Sequence, residues 1–181
     1  MPPLRDATIA AILAFTLAGC AGEPLETGPI DPRVASQVAA AHLDPSAAVA
    51  AISAYRASRR LGPVRLDPAL VAMAQHQADA MVAANALSHT VAGLFTARLA
   101  SAGIEATEAG ENLGGGYFSL DQALAGWRGS PEHDANLLIP AATRIGIAIS
   151  KDPRTLYGVY WALEIAAEPR QALSATPPAS Q

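Results

Sequence analysis

Residues 110–136 read GENLGGGYFSLDQALAGWRGSPEHDAN. Two polar clusters bracket this stretch, Gly110-Glu111-Asn112 and Ser130-Pro131-Glu132-His133, with Asn136 one helical turn further on. Between them, Ser119-Leu120-Asp121-Gln122 has the form of a capping box, in which a serine hydroxyl and a glutamine side chain satisfy the free amides of a helix start. A helix over residues 120–128 follows, with Leu120, Ala123, Leu124 and Trp127 on its apolar stripe. Ser130-Pro131 then restarts a short helix, serine at the N-cap and proline at the first helical position. His133 and Asn136 are three apart and so share one side of that turn. Leu137 and Leu138 are expected to anchor it in the core. Gly114-Gly115-Gly116 reads as a flexible turn, because it lacks the spacing and the Lys-Ser/Thr of a phosphate-binding loop.

Working upstream, Asp44-Pro45 and Asp67-Pro68 repeat one start signal, an acceptor at the N-cap followed by proline. The first predicts a helix over residues 45–60, with Val49, Ile52 and Arg56 near one face. The second predicts a helix over Pro68–Ala84, with Leu70, Ala74, Gln77 and Met81 in a stripe and Asn85 at its end. His76 lies on the opposite side and reads as a solvated surface histidine. Ser88-His89 comes next, then a short helix over residues 93–101 closed by Gly103, then residues 104–113, extended in part. Downstream, residues 144–150 alternate with Ile145, Ile147 and Ile149 on one face, and residues 156–166 begin with the strand formers Tyr157, Val159, Tyr160 and Trp161. Lys151-Asp152-Pro153-Arg154 joins the two as a turn. Helices early and strands late indicate an α+β fold in layers.

The ends read differently. Residues 1–19 have the form of a signal peptide: Arg5, then an apolar run from Ala7 to Leu17 that is too short to cross a bilayer. Leu17-Ala18-Gly19-Cys20 resembles the lipobox of bacterial lipoproteins, in which the cysteine is lipidated and becomes the first mature residue. Residues 20–43 are then the lipidated cysteine and a tether, broken by Pro24, Pro29 and Pro32, with a marginal helix over residues 33–42 and His42 in solvent. The domain occupies residues 44–167, and residues 168–181, rich in Ala, Ser, Thr and Pro, form a disordered tail. Cys20 is the only cysteine, so no intrachain disulfide forms. The net charge is −4 and Lys151 is the only lysine, which excludes the basic patch that nucleic-acid binding needs. The membrane is therefore an expected partner through Cys20, and the location an exported lipoprotein on the extracytoplasmic side of a bacterial envelope.

With these pieces assembled, the chain resembles the bacterial branch of the CAP superfamily, the SCP-like domain of cysteine-rich secretory proteins, antigen 5 and plant pathogenesis-related proteins. The resemblance covers residues 51–167. It is carried by Tyr55-Arg56, Leu66-Asp67-Pro68-Ala69-Leu70, Ala78-Asp79-Ala80-Met81, Ser88-His89, Gly110-Glu111-Asn112-Leu113 and Trp127. It continues through Ser130-Pro131, His133, Asn136-Leu137-Leu138, Arg144-Ile145-Gly146 and Tyr160-Trp161. It implies a three-layer α-β-α sandwich, with a small antiparallel sheet between helices and a cleft at one side. In eukaryotic members two histidines and two glutamates line that cleft and can hold a divalent metal. His89 and Glu111 match the first histidine and the Gly-Glu-Asn glutamate. The second glutamate is here Ser130, and the second histidine falls near Tyr160, while His133 sits in the bacterial Ser-Pro-x-His.

The expected cleft is thus His89, Glu111 and His133, supported by Ser88, Asn112, Ser130, Asn136 and Tyr160. Two uses stay open for it: zinc or another divalent metal held by His89, Glu111 and His133, or histidines that order the cleft by hydrogen bonding alone. Trp127, Trp161 and Tyr160 read as core. A serine or cysteine nucleophile is unsupported, with no Gly-x-Ser-x-Gly elbow and no spare thiol. Two functions follow as expectations. One is an envelope-anchored module binding a small apolar or envelope-derived ligand, as some family members bind sterols or other lipids. The other is a metal-dependent hydrolase.

Overall fold

Asp44 and Asp67 each accept from two amides of the helix that follows, Asp44 from Ser46 and Ala47, Asp67 from Ala69 and Leu70. These caps and the prolines beside them set the starts of the two long helices. The structure is a computed structural model, and it describes residues 28–169. Residues 1–27, which include the expected signal segment and Cys20, and residues 170–181 of the expected tail lie outside the described residues. In chain order the elements are α1 (Pro32–Ala40), α2 (Pro45–Ser58), β1 (Arg65–Leu66), α3 (Pro68–Ala84), α4 (Phe95–Ser101) and β2 (Ala109–Gly115). They continue with α5 (Leu120–Arg128), α6 (Pro131–Leu137), β3 (Ala142–Lys151) and β4 (Val159–Ala167).

The sheet order is β1-β3-β4-β2. The β3–β4 and β2–β4 pairs are antiparallel, as expected, and the two-residue edge β1 adds a parallel pair with β3. Alternation along the strands sends side chains to opposite faces. Ile145, Ile147, Trp161, Leu163 and Ile165 meet Ile52 of α2 with Leu124 and Trp127 of α5 on one side. Tyr160 and Ala162 of β4, with Leu113 and Ala148, meet Ala74, Ala78 and Met81 of α3 on the other. The fold is therefore a three-layer α-β-α sandwich of mixed α/β class, held by packing without a disulfide.

Apart from shifts of a few residues at helix and strand ends, and the short β1, which the sequence reading did not include, three stretches differ from it. First, α1 belongs to the folded body: Val38 and Ala41 are buried in the core, and Lys151 Nζ donates to Ala39 O and Ala41 O at 2.9 and 2.6 Å. The sequence reading gave this stretch to the tether because Pro24, Pro29 and Pro32 break the chain around it, and the partners that hold α1 sit more than a hundred residues away. Second, Gly114 and Gly115 are strand, paired with Trp161 and Tyr160. A Cβ on Gly115 would meet the Tyr157 ring at 2.6 Å, so the glycines admit a close approach rather than a turn. Third, Glu168 continues past β4 into an ion pair with Arg65 at 2.8 Å.

Candidate functional site

Each cleft residue is placed by its own element. Gln77 of α3 is fully buried and donates Nε2 to Ser88 O at 2.7 Å, and the Ser88 hydroxyl accepts from the Thr90 amide at 3.2 Å. This fixes the turn that presents His89, whose side chain stays 58 % exposed. Glu111 stands in the middle of β2, nearly buried. Asn112, its neighbour on the opposite face, donates to His133 O at 2.9 Å. Asn136 donates to both Glu111 O and Asn112 Oδ1, at 3.0 and 2.9 Å. The two asparagines thus bolt α6 to β2, and Gly110 leaves the room that Asn136 needs.

His89 Nδ1 lies 2.7 Å from Glu111 Oε1. Arg98 of α4, 6 % exposed, donates Nη2 to Glu111 Oε2 at 2.5 Å and Nη1 to Glu164 Oε1 at 3.1 Å. Glu164 of β4 is fully buried and is the register partner of Glu111 on the neighbouring strand. Sequence reasoning passed over both Arg98 and Glu164. A signal existed for Glu164: a lone charge in the strand run Tyr160-Trp161-Ala162-Leu163-Glu164-Ile165, on the face shared by Tyr160 and Ala162. Arg98 carried none.

Of the expected support, Asn112 and Asn136 work through α6, and Ser88 through the His89 turn. The side chains of the other two bond to neither the His89–Glu111 pair nor the two asparagines among the described residues. Tyr160 lies four residues along β4 from Glu164, fully buried, with its hydroxyl 3.2 Å from Asn85 Oδ1. Ser130 precedes α6 without making a side-chain cap bond, and its hydroxyl donates to Glu132 at 3.2 Å. His133 is half-buried, and its ring is hydrogen-bonded to neither His89 nor Glu111 among the described residues. Burial, followed by the nearby His89 charge, holds its imidazole below the usual histidine range.

One guanidinium between two carboxyl groups neutralises one of them. Burial first, then the Glu111 charge and a hydrogen bond to Glu111, push Glu164 up to about 9, against the pull of Arg98. In the unfolded chain the same carboxyl ionises near 4.5. Between those two values the unfolded state gives up a proton that the native state keeps, so stability falls as pH rises through that window and levels above it. Glu164→Gln removes the group. Its urea midpoint, measured against the parent protein, should improve steadily from pH 5 to about pH 9; parallel pH profiles would mean that native Glu164 is ionised at neutral pH.

The donor set does not fit a divalent metal. Both oxygens of Glu111 are occupied, by His89 and Arg98. That leaves His89 Nε2 and the His133 ring, two donors where catalytic zinc takes three protein ligands. Among the described residues, no group of three His, Cys, Asp or Glu is placed to hold an ion.

A second feature adjoins this site. A groove of about 480 Å³ runs between α3 and α4, lined mainly by Ala69, Ala72, Met73, Ala97 and Ala102, with Arg98 in its wall. His76, expected only at the surface, also borders it.

The three-layer sandwich carries a His-Glu pair on its edge strand β2, and the comparisons with known proteins give its family. Residues 49–165 match the model of the cysteine-rich secretory protein family, CAP, and the chain belongs to that family. An extracellular protein containing an SCP domain from Bacillus anthracis has a similar structure, with a TM-score of 0.59 and 21 % identity, covering 78 % of this chain and 45 % of that one. An outer surface protein of Borrelia burgdorferi gives 0.60 and 18 %, covering 71 % and 98 %. A cysteine-rich secretory protein of Staphylococcus aureus gives 0.56 and 15 %, covering 68 % and 38 %. The chain thus spans under half the length of the Bacillus and Staphylococcus proteins. No curated protein matches it.

Proposed function

We propose that this CAP protein is an envelope-anchored binding module for a small apolar ligand, seated in the α3–α4 groove. The observation that supports this is the groove itself: its volume lies within the range of about 300–1,000 Å³ typical of small-molecule sites, and its walls are largely alanine and methionine. Arg98 links it to the His89–Glu111 pair, so a ligand with one polar end finds charge at the edge of an apolar trough. Purified protein should bind a fluorescent fatty-acid or sterol analogue. Ala72 is exposed, so Ala72→Trp fills the groove from its rim without disturbing the core. Affinity should fall roughly tenfold or more, about 1.4 kcal/mol, with an unchanged melting temperature. Undiminished binding would move the ligand elsewhere.

Export and anchoring belong to the same reading. They rest on the Leu17-Ala18-Gly19-Cys20 pattern and on the extracellular and outer-surface descriptions of the Bacillus and Borrelia proteins. An acyl chain contributes about 0.8 kcal/mol per buried CH₂, and two such signals anchor stably. Cys20→Ser should lose acylation and leave the membrane fraction; a variant that remains acylated and membrane-bound defeats the assignment.

A further inference from the structure

Glu111 has a second, buried side, away from His89. Glu111 and Glu164 are register partners on neighbouring strands. Two carboxyl groups side by side in a buried place need a cation or a proton between them. Here α4 supplies the cation. The Arg98 fork reaches Glu111 Oε2, Glu164 Oε1 and, through Nε, Gly93 O at 3.3 Å. These are three oxygens of the kind a hard divalent ion takes as ligands.

We propose that Arg98 is the resident cation of this cleft and takes the place of a divalent metal, so that the His89–Glu111 pair works without one. Arginine supplies a cation with a planar fork of donors that matches carboxyl oxygens. A metal ion would have to eject it, leaving a buried guanidinium without the Glu111 and Glu164 oxygens that it binds, and removing a partner from a buried pair is strongly unfavourable. The arrangement also leaves Glu111 one free oxygen, which His89 takes, so the exposed imidazole is the group offered to solvent and ligand. This reading is independent of what fills the α3–α4 groove.

Titration of the untagged protein with Zn²⁺ tests it, read by calorimetry and by metal analysis before and after chelation. The parent protein should take up no stoichiometric zinc at micromolar concentration. Arg98→Met keeps the apolar stem and deletes the fork, opening His89, Glu111 and Glu164 to an ion. It should gain one zinc per chain, with a melting temperature that rises with zinc. Arg98→Lys keeps the charge and should remain metal-free. Stoichiometric zinc on the parent protein, lost in His89→Ala and Glu111→Gln, overturns the proposal. So does a folded Arg98→Met protein that takes up none. If Arg98→Met folds only when zinc is present, that rescue supports the exchange of one cation for the other. If it folds under neither condition, the parent titration decides alone.

Discussion

Arg56→Met is expected to lower the unfolding free energy by about 3–6 kcal/mol, read as a shift of the urea midpoint at constant slope. Arg56 is fully buried on α2 and forms no ion pair among the described residues. Its charge is held by carbonyls. Nη1 donates to Leu137 O and Ile139 O at 2.8 and 2.9 Å, Nη2 to Ala142 O at 2.8 Å, and Nε to Gly62 O at 2.8 Å. Leu137 is the last residue of α6, so the guanidinium also sits at the negative end of a helix. Methionine matches the apolar stem and makes none of these bonds. Each buried carbonyl left without a partner costs about 1–3 kcal/mol. Native stability is only about 5–15 kcal/mol in all, so the variant should be marginal. Arg56→Lys should recover only part of the loss, because one ammonium cannot reach four carbonyls spread from residue 62 to residue 142. A midpoint within error of the parent would show that these carbonyls find other partners.

Gly146→Ala is the second large effect. Gly146 lies in β3 on the face covered by α3, and a Cβ there would run into the backbone of Leu70 and Val71. The obstacle is main chain, so no rotamer change relieves it. Helix and strand must separate, and overpacking of this sort costs typically about 1–3 kcal/mol and occasionally more. For a chain of this size that corresponds to roughly 2–4 °C per kcal/mol. Because α3 carries Gln77, which sets the His89 turn, the variant should also weaken binding of the apolar probe and blur the His89 resonance in NMR. A melting temperature equal to that of the parent would show that α3 has slack to move.

The contrast between these two residues and the ones that were easy to read has a physical cause. The starts of α2, α3 and α5 lie open in the sequence because a cap is a local bond: Asp44, Asp67 and Ser119 each serve amides two or three residues away. The strand faces follow from alternation, and Trp127 and Trp161 lie in the core where their stripes put them. His89, Glu111 and the two asparagines were visible as polar residues within recognisable motifs.

What the sequence by itself determined was therefore the starts of the long helices, the two closing strands, the layering of helices on a sheet and the identity of the His89–Glu111 pair. The tertiary structure alone decided which polar groups meet. Arg98 reaches Glu164 across 66 positions and Arg56 reaches Ala142 across 86; α1 joins the core through Lys151 across more than a hundred. Tyr160 and Ser130 were drawn to the cleft by motif order; the register of β4 sets Tyr160 opposite Gly115, four positions from Glu164, and the Ser130 hydroxyl turns to Glu132. Local hydrogen bonds and periodicity act over a few residues and leave a mark there. A buried charge is chosen by whatever arrives beside it once the layers close, and nothing in its own neighbourhood records the partner.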